Sequence, residues 1–464
     1  MIAGGSVGFG EAHFGTAVLG HKDRTDCLVR IANLMHRHPG GTLPHKLMSP
    51  KDYKAMDRLA NRPEVTHAAV LCPHRERTLT LMRETAGVVL LLHDTTELDY
   101  SGLSIPELGP IGSGYHRGYL CHNSLAVAFE EREVLGLVNQ VLHARVPVPK
   151  NETIKAKRKR QSRESRLWTQ AVQNIEVAPV DRLWIDIADR GADVFEFLAH
   201  EITAGRRFVV RSSADRSIQV GGNESKQLLH TYMRSLPLHG QKRITVGGRG
   251  ATPERKATVA VSFAKVQVQE PLQRRGDYER RPLDLWCVRV AEINPPKGVT
   301  PVEWTLLTNQ PVTTLGDAWE RASWYEVRWV IEEYHKAMKT GCAIEEMQFT
   351  TAQALEPMIA LLSVVAVTLL NLREAARRPD AAERPATDWV DAEYVSVLSA
   401  WRHKEIRMDW TVHDFFYALA RLGGHQNRKR DHRPGWLVLW RGWNALQHMI
   451  DGAAAAKLRF CGQT

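Results

Sequence analysis

Ala86-Gly-Val-Val-Leu-Leu-Leu-His-Asp94-Thr-Thr is an apolar run that stops at an acid and two hydroxyls. An uninterrupted run of this length, bounded by polar residues, reads as a strand buried on both faces. Leu183-Trp-Ile-Asp-Ile-Ala-Asp189 reads the same way and also ends in an acid. Between them, residues 119–127 and 134–143 are two further strand candidates, and Glu130-Glu-Arg-Glu between those two suggests a hairpin. Leu167, Ala171, Val172 and Ile175 mark an apolar helical face, residues 194–202 read as a helix, and Arg207-Phe-Val-Val-Arg211 as a strand. The order strand, hairpin, helix, strand, helix, strand predicts an α/β fold with a mixed sheet.

Working outward, residues 1–68 read as small basic helices. Leu28, Ile31 and Leu34 recur near helical spacing, and Ser49-Pro-Lys-Asp-Tyr sets a cap before a proline at the first helical position. That helix runs through Met56, Leu59 and Ala60 and stops before Pro63. Residues 213–302 change character. Thr258-Val-Ala-Val-Ser-Phe-Ala-Lys-Val-Gln-Val alternates apolar and polar side chains, Leu285-Trp-Cys-Val-Arg-Val-Ala is similar, and turns such as Gly247-Gly-Arg-Gly separate such strands, so this is a β-rich insertion. Trp304-Thr-Leu-Leu-Thr is a further strand. A long helix is expected from near Leu315 to about Lys339, then an apolar helix over 358–372 and an Ala/Pro/Arg-rich connector at 379–385. The remainder is helical and carries Trp401, Trp410, Trp436, Trp440 and Trp443, which read mostly as core.

The chain has 464 residues, 43% of them hydrophobic and 25% charged, which excludes a disordered, collagen-like or disulfide-scaffold protein. Sixty-two Lys and Arg against 52 Asp and Glu leave a net charge of +10, which favours a polyanionic partner. The basic run Lys155-Ala-Lys-Arg-Lys-Arg-Gln-Ser-Arg is either a solvated loop or a phosphate contact. Cys27, Cys72, Cys121, Cys287, Cys342 and Cys461 form no C-x-x-C pair, so a zinc finger is not expected and free thiols in a reducing compartment are. Met1-Ile-Ala-Gly-Gly-Ser does not open like a signal peptide. Residues 358–370, broken by Ser363 and Thr368, fall short of the roughly 20 needed to span a bilayer, so a buried helix and no membrane partner are expected.

Acids just past strand ends in an α/β sheet are placed to do chemistry. Asp94 and Asp189 fit that position, although either alone could be a local cap. Magnesium takes hard oxygen ligands, and two ions about 3.5–4 Å apart can stabilise the attacking and leaving oxygens of a phosphoryl transfer. A third carboxylate would complete such a site. In Tyr325-Glu-Val-Arg328-Trp-Val-Ile-Glu332-Glu-Tyr-His-Lys336-Ala-Met-Lys339, the residues Tyr325, Arg328, Glu332, Lys336 and Lys339 recur at steps of three or four and are expected on one helix face. That face is either a solvated, salt-bridged surface or a phosphate grip beside Glu332.

The spacing Tyr-x2-Arg-x3-Glu-x6-Lys resembles the signature helix of insertion-sequence-four-type DDE transposases, which are bacterial cut-and-paste enzymes. The resemblance runs nearly end to end. His93-Asp94-Thr-Thr is similar to the family's first-acid motif and Asp189-Arg-Gly-Ala-Asp193 to its second. Arg207-Phe-Val-Val-Arg-Ser, Glu292-Ile-Asn-Pro-Pro-Lys-Gly and Trp304-Thr-Leu-Leu-Thr resemble the edges of its β insertion, and Ala420-Arg-Leu-Gly-Gly and Leu439-Trp-Arg-Gly-Trp-Asn-Ala-Leu-Gln its C-terminal helices. The resemblance implies a ribonuclease-H-like catalytic domain over 69–372 interrupted by the insertion. It also implies a helical DNA-end recognition domain over 1–68 and a helical dimerisation domain over 373–464.

It further implies that Asp94, Asp189 and Glu332 are catalytic and ligate two Mg²⁺ ions, with Mn²⁺ tolerated. Tyr325, Arg328, Lys336 and Lys339 would contact the DNA end, and Trp304 would stack a flipped-out base, which an indole suits. Arg211, Arg190 and Arg58 are further implied DNA contacts. The partners would be double-stranded transposon ends and target DNA, bound by a homodimer in the cytoplasm. His21 stands where the family carries an acid, Asp57 where an aromatic is usual, and Gly191 where an acid is common; that last replacement, at a position that is no ligand, is expected to be tolerated. Two other readings remain: a catalytically inactive, transposase-derived DNA-binding inhibitor, and a metal nuclease without strand transfer. Intact acids argue against the first, and the N- and C-terminal matches against the second.

Overall fold

A computed structural model describes residues 8–148, 151–221, 225–246, 255–272, 278–428, 431 and 433–461. The strands are β1 (Val88–Asp99), β2 (Gly109–Ile111), β3 (His116–Ala128), β4 (Glu133–His143), β5 (Leu183–Ala188), β6 (Arg207–Arg211), β7 (Ser217–Gln219), β8 (Gln227–Leu228), β9 (His239–Val246), β10 (Arg255–Val268), β11 (Leu283–Glu292) and β12 (Glu303–Thr308). Among the described residues they form one sheet in the order β2-β3-β1-β5-β6-β12-β11-β10-β7-β8, with β4 on β3 and β9 on β10. The protein is therefore α/β with a mixed sheet, as the sequence predicts.

β1 is central because its first half can be buried on both sides: Val88 through His93 are all buried. It pairs antiparallel with β3 and parallel with β5, and β5 pairs parallel with β6. β4 closes the hairpin with β3. One face of these strands, with Leu90, Leu92, Ile185 and Ile187, joins a single apolar cluster with Leu28 and Met56 of the N-terminal helices and with Leu362. The opposite face packs Trp168, Phe197 and Phe208 around Ala188. The β-rich insertion does not stand apart, since β12 joins β6 to β11 and so extends the same sheet. Gly247-Gly-Arg-Gly lies outside the described residues.

Three elements differ from the sequence expectation. β1 does not end at Asp94 but runs on to Asp99, because β3 continues beside it down to the pair Asp99 and Gly118. The expected long helix is interrupted. It opens with a reciprocal cap between Thr314 and Asp317 and holds over Leu315–Glu326. The next amides then bond three residues back, Val327 N–H to Trp324 at 3.2 Å, Arg328 N–H to Tyr325 at 3.0 Å and Ile331 N–H to Arg328 at 3.1 Å. This overwinds the chain before Trp329–Lys336, and a π-helical turn at Ala337–Gly341 follows. Finally, the apolar helix spans Ala352–Ala375, longer than its sequence suggested because Thr351 caps it well upstream. It is long and apolar enough to cross a membrane, yet 89% of its apolar window is buried inside this protein.

The C-terminal helices Ala392–His403, Val412–Leu422 and Trp436–Cys461 follow. They bury Trp410, Trp436, Trp440 and Trp443. Cys27, Cys72, Cys121, Cys287 and Cys342 are free.

Candidate active site

The parallel pairing of β1 with β5 ends at His93 and Ala188. The next residues are Asp94, still on β1, and Asp189, just past the end of β5, so the register sets the two acids side by side where the ladder stops. Side chains alternate across a strand, which sends His93 and Asp186 to the opposite face. Asp94 accepts the Thr95 N–H at 2.8 Å. Asp189 turns back to accept the Gly191 N–H at 2.7 Å. The short turn Arg190–Ala192 then leads to Asp193, whose carboxylate accepts Ser213 N–H at 2.7 Å, Ala214 N–H at 2.9 Å and Arg216 Nε at 2.8 Å. The loop carrying the second acid is thus tied to the start of the insertion.

Glu332 arrives on Trp329–Lys336, and buried polar groups hold that helix against the sheet. Asn123 lies opposite Asp94 on β3, and its Nδ2 is 3.1 Å from Nε2 of His335, one helical turn beyond Glu332. Gln140 donates to Asn123 Oδ1 at 2.7 Å and to Ser363 at 2.9 Å, and Tyr334 donates to the Ser363 carbonyl at 3.0 Å. Burial, with Lys339 and Arg328 nearby, pushes His335 down to about 3, so its ring is neutral and can accept the Asn123 N–H.

Arg328 sits between the acids. Its Nη2 donates to Glu332 at 2.5 Å and its Nη1 is 3.6 Å from Asp94 Oδ2. Burial and then the charge of Asp189 push the Asp94 carboxyl up to about 7; Arg328 and the Thr95 amide pull it down, while Glu332 adds to the rise. The three carboxylates are therefore close enough to repel, with one guanidinium among them. Among the described residues, no three His, Cys, Asp or Glu side chains are gathered tightly enough to hold a metal ion. The donor chemistry, three carboxylates in charge surplus, suits a hard divalent cation. The present geometry instead gives Glu332 to Arg328.

Of the expected DNA contacts, Tyr325 is 4% exposed, and its Oη is buried without a hydrogen-bond partner. Half-buried Trp304 meets the Tyr325 ring edge-on at 5.5 Å. Arg211 donates to the Glu303 carbonyl at 2.9 Å, and Arg190 is exposed beside Asp189. Arg328 meets both the Tyr325 ring, at 5.8 Å, and Glu332, while Lys336 pairs with Glu333 at 3.0 Å and Lys339 with Glu345 at 3.1 Å. Arg58 is exposed on a different element, the helix Pro50–Ala60. In the basic run, Arg160 pairs with Glu152 and Arg163 with Glu196, each at 2.8 Å, just after a short helix Ile154–Lys159. His21 caps the helix Lys22–Arg37 by accepting the Asp23 N–H at 3.2 Å, a task an acid would also perform.

Sequence reasoning gave no role to Trp329, which is 54% exposed beside Arg328, its ring 5.5 Å from the guanidinium. It also missed Asn123, His335 and Trp168. A tryptophan next to Arg328 on the expected helix was a readable signal, whereas the other three depend on packing. No protein-family model matches the chain.

Proposed function

We propose that this protein is a DNA transposase of the DDE cut-and-paste type. The observation that carries the reading is the placement of Asp94 and Asp189 each one residue beyond the last pair of a parallel ladder, with Glu332 close enough to raise Asp94 further. The strand order supports it too. In β4-β3-β1-β5-β6 only β3 runs against the rest, an order that favours the expected ribonuclease-H-like core. In this reading residues 69–372 are the catalytic domain, 1–68 recognise the terminal repeat, and 373–464 pair two subunits on two ends.

Asp94, Asp189 and Glu332 would hold two Mg²⁺ ions, or Mn²⁺ in their place. When bound, such ions activate the attacking oxygen and stabilise the leaving one. Arg328 grips a backbone phosphate of the end, and Lys336 and Lys339, released from their pairs with Glu333 and Glu345, add to that grip. Trp304, on Tyr325, stacks an extruded base. Arg190, Arg211 and Arg58 extend the contact. The reactions are a nick, a hairpin at the end, its opening, and strand transfer into target DNA.

The test is cleavage of linear DNA carrying the flanking terminal repeat with Mg²⁺. Wild type cuts at the repeat boundary; Glu332→Ala binds the same DNA and cuts at least ~10³-fold more slowly, since metal stabilisation is worth several kcal/mol at about 1.36 kcal/mol per tenfold. Binding without cutting by the wild type would sink the catalytic reading in favour of the inhibitor.

A further inference from the structure

Gly191 is more than a tolerated replacement. A Cβ built there would lie 2.9 Å from Cζ2 of Trp168 and 3.1 Å from Oδ1 of Asp189. The first distance is closer than carbon atoms pack, and the Trp168 ring has little room to retreat. It is 7% exposed, meets His122 edge-on at 4.8 Å and has Phe197 at 6.2 Å. Interiors at crystal-like density pass such a clash to whatever yields most easily. On the other side of this contact is the loop Asp189–Asp193, whose far end is pinned by Arg216 and the amides of Ser213 and Ala214, so a shift there falls on the Asp189 end.

The same glycine supplies the amide that fixes Asp189, at 2.7 Å. Trp168 comes from the helix Leu167–Gln173, far from any motif the acids belong to. We propose that Trp168 is a positioning residue for the second acid: its indole fills the place of a side chain at 191 and keeps the loop where the Gly191 N–H aims the Asp189 carboxylate. Bulk on the helix and absence of bulk on the loop are then one device. The inference rests on the transposase reading, in which Asp189 is a metal ligand.

A double-mutant cycle tests it with Gly191→Ala, Trp168→Phe and the double variant. Phenylalanine withdraws the outer indole ring while keeping most of the packing. Mn²⁺ binding is followed by electron paramagnetic resonance with the terminal-repeat DNA present, together with urea melts and cleavage rates. Gly191→Ala should weaken Mn²⁺ binding by ~10-fold or more and slow cleavage by about 10²-fold, the usual effects of disturbing a ligand's support or shifting a reacting group. Adding Trp168→Phe should restore more than half of the lost affinity on a logarithmic scale. Additive effects, or wild-type affinity in Gly191→Ala, would overturn the proposal while a wild type that binds Mn²⁺ and cuts leaves the transposase reading standing. A wild type that neither binds Mn²⁺ nor cuts overturns both. If Gly191→Ala alone does not fold, Trp168→Phe decides: a severalfold loss of Mn²⁺ affinity at an unchanged melting midpoint supports the role, and unchanged affinity overturns it.

Discussion

β1 and β5 carry acids on both faces, and the two faces treat them in opposite ways. Behind the sheet, Asp186 is 2% exposed and receives Arg206 through two bonds, at 2.9 and 3.0 Å, with His93 Nε2 at 2.8 Å. Against the pull of burial, Arg206 and His93 hold its carboxyl below the ordinary carboxylate range. Glu201, also fully buried, lies 3.8 Å from Arg206 Nε, and burial and then Asp186 hold its carboxyl well above that range. In front of the sheet, Asp94 has two other acids near it and a single guanidinium at 3.6 Å. The back face is balanced and the front face carries a surplus of negative charge. Balance is what a structural ion network needs, and surplus in an accessible site marks a place for a cationic ligand.

Breaking the balance should have the largest effect on stability. Arg206→Met leaves Asp186 buried beside His93 and the Glu201 carboxyl without its guanidinium, and uncompensated buried charge costs roughly 3–5 kcal/mol. Urea unfolding measures it, and a loss under ~1 kcal/mol would mean that the back face is not an ion network at all.

The front face should respond with the opposite sign. An unfolded aspartate titrates near 3.9, whereas Asp94 sits at about 7 in the fold. The folded state therefore holds that proton more tightly, so ionised Asp94 costs stability above pH 7. The cost shrinks as pH falls through 7 towards 4. At about 1.36 kcal/mol per unit it amounts to roughly 4 kcal/mol at most. Asp94→Asn removes it, so in metal-free buffer the variant should be a few kcal/mol more stable than wild type at pH 8.5, and less than half of that gain should remain at pH 5. Asp186, with its depressed carboxyl, contributes stability above the ordinary carboxylate value that is lost as pH falls, so Asp186→Asn should destabilise at neutral pH. Equal stability of Asp94→Asn and wild type at pH 8.5 would remove the surplus from the argument.

The contrast between the faces was half legible beforehand. Continuous apolar runs ending in Asp94 and Asp189 gave the strands and two of the acids, because burial on both faces leaves a local mark in sequence. Spacing alone left Glu332 and Arg328 on a face that was either a salt-bridged surface or a phosphate grip, and only the resemblance to the family's helix singled them out. The overwound turn at Val327 and Arg328 was not legible, since every residue there has ordinary helical character and only tertiary packing tightens the bonds. Nor were the inward turn of Tyr325 or the partners of Asp186, which lie apart in sequence at His93 and Arg206. Gly191 reads as neutral in sequence because its constraint comes from a tryptophan on another helix.

The smallest expected effect bears on what occupies the surplus. Arg328 now serves both Asp94 and Glu332, and a divalent cation would need the same oxygens. Protein and cation therefore compete for one set of carboxylates. Arg328→Gln removes the competitor without adding a charge, and should tighten Mn²⁺ binding in the absence of DNA by roughly five- to tenfold, about 1 kcal/mol and in line with one partly exposed ion pair. The same variant should bind the terminal-repeat DNA more weakly, with a salt dependence shallower by about one phosphate contact. Once DNA is bound, the Mn²⁺ affinities of variant and wild type should converge, because a phosphate then takes up the wild-type guanidinium and frees the carboxylates. A variant that binds Mn²⁺ no better than wild type without DNA would mean that Arg328 does not stand in the cation's place, and that the surplus on the front face is left by the distance between the acids and not by their counter-ion.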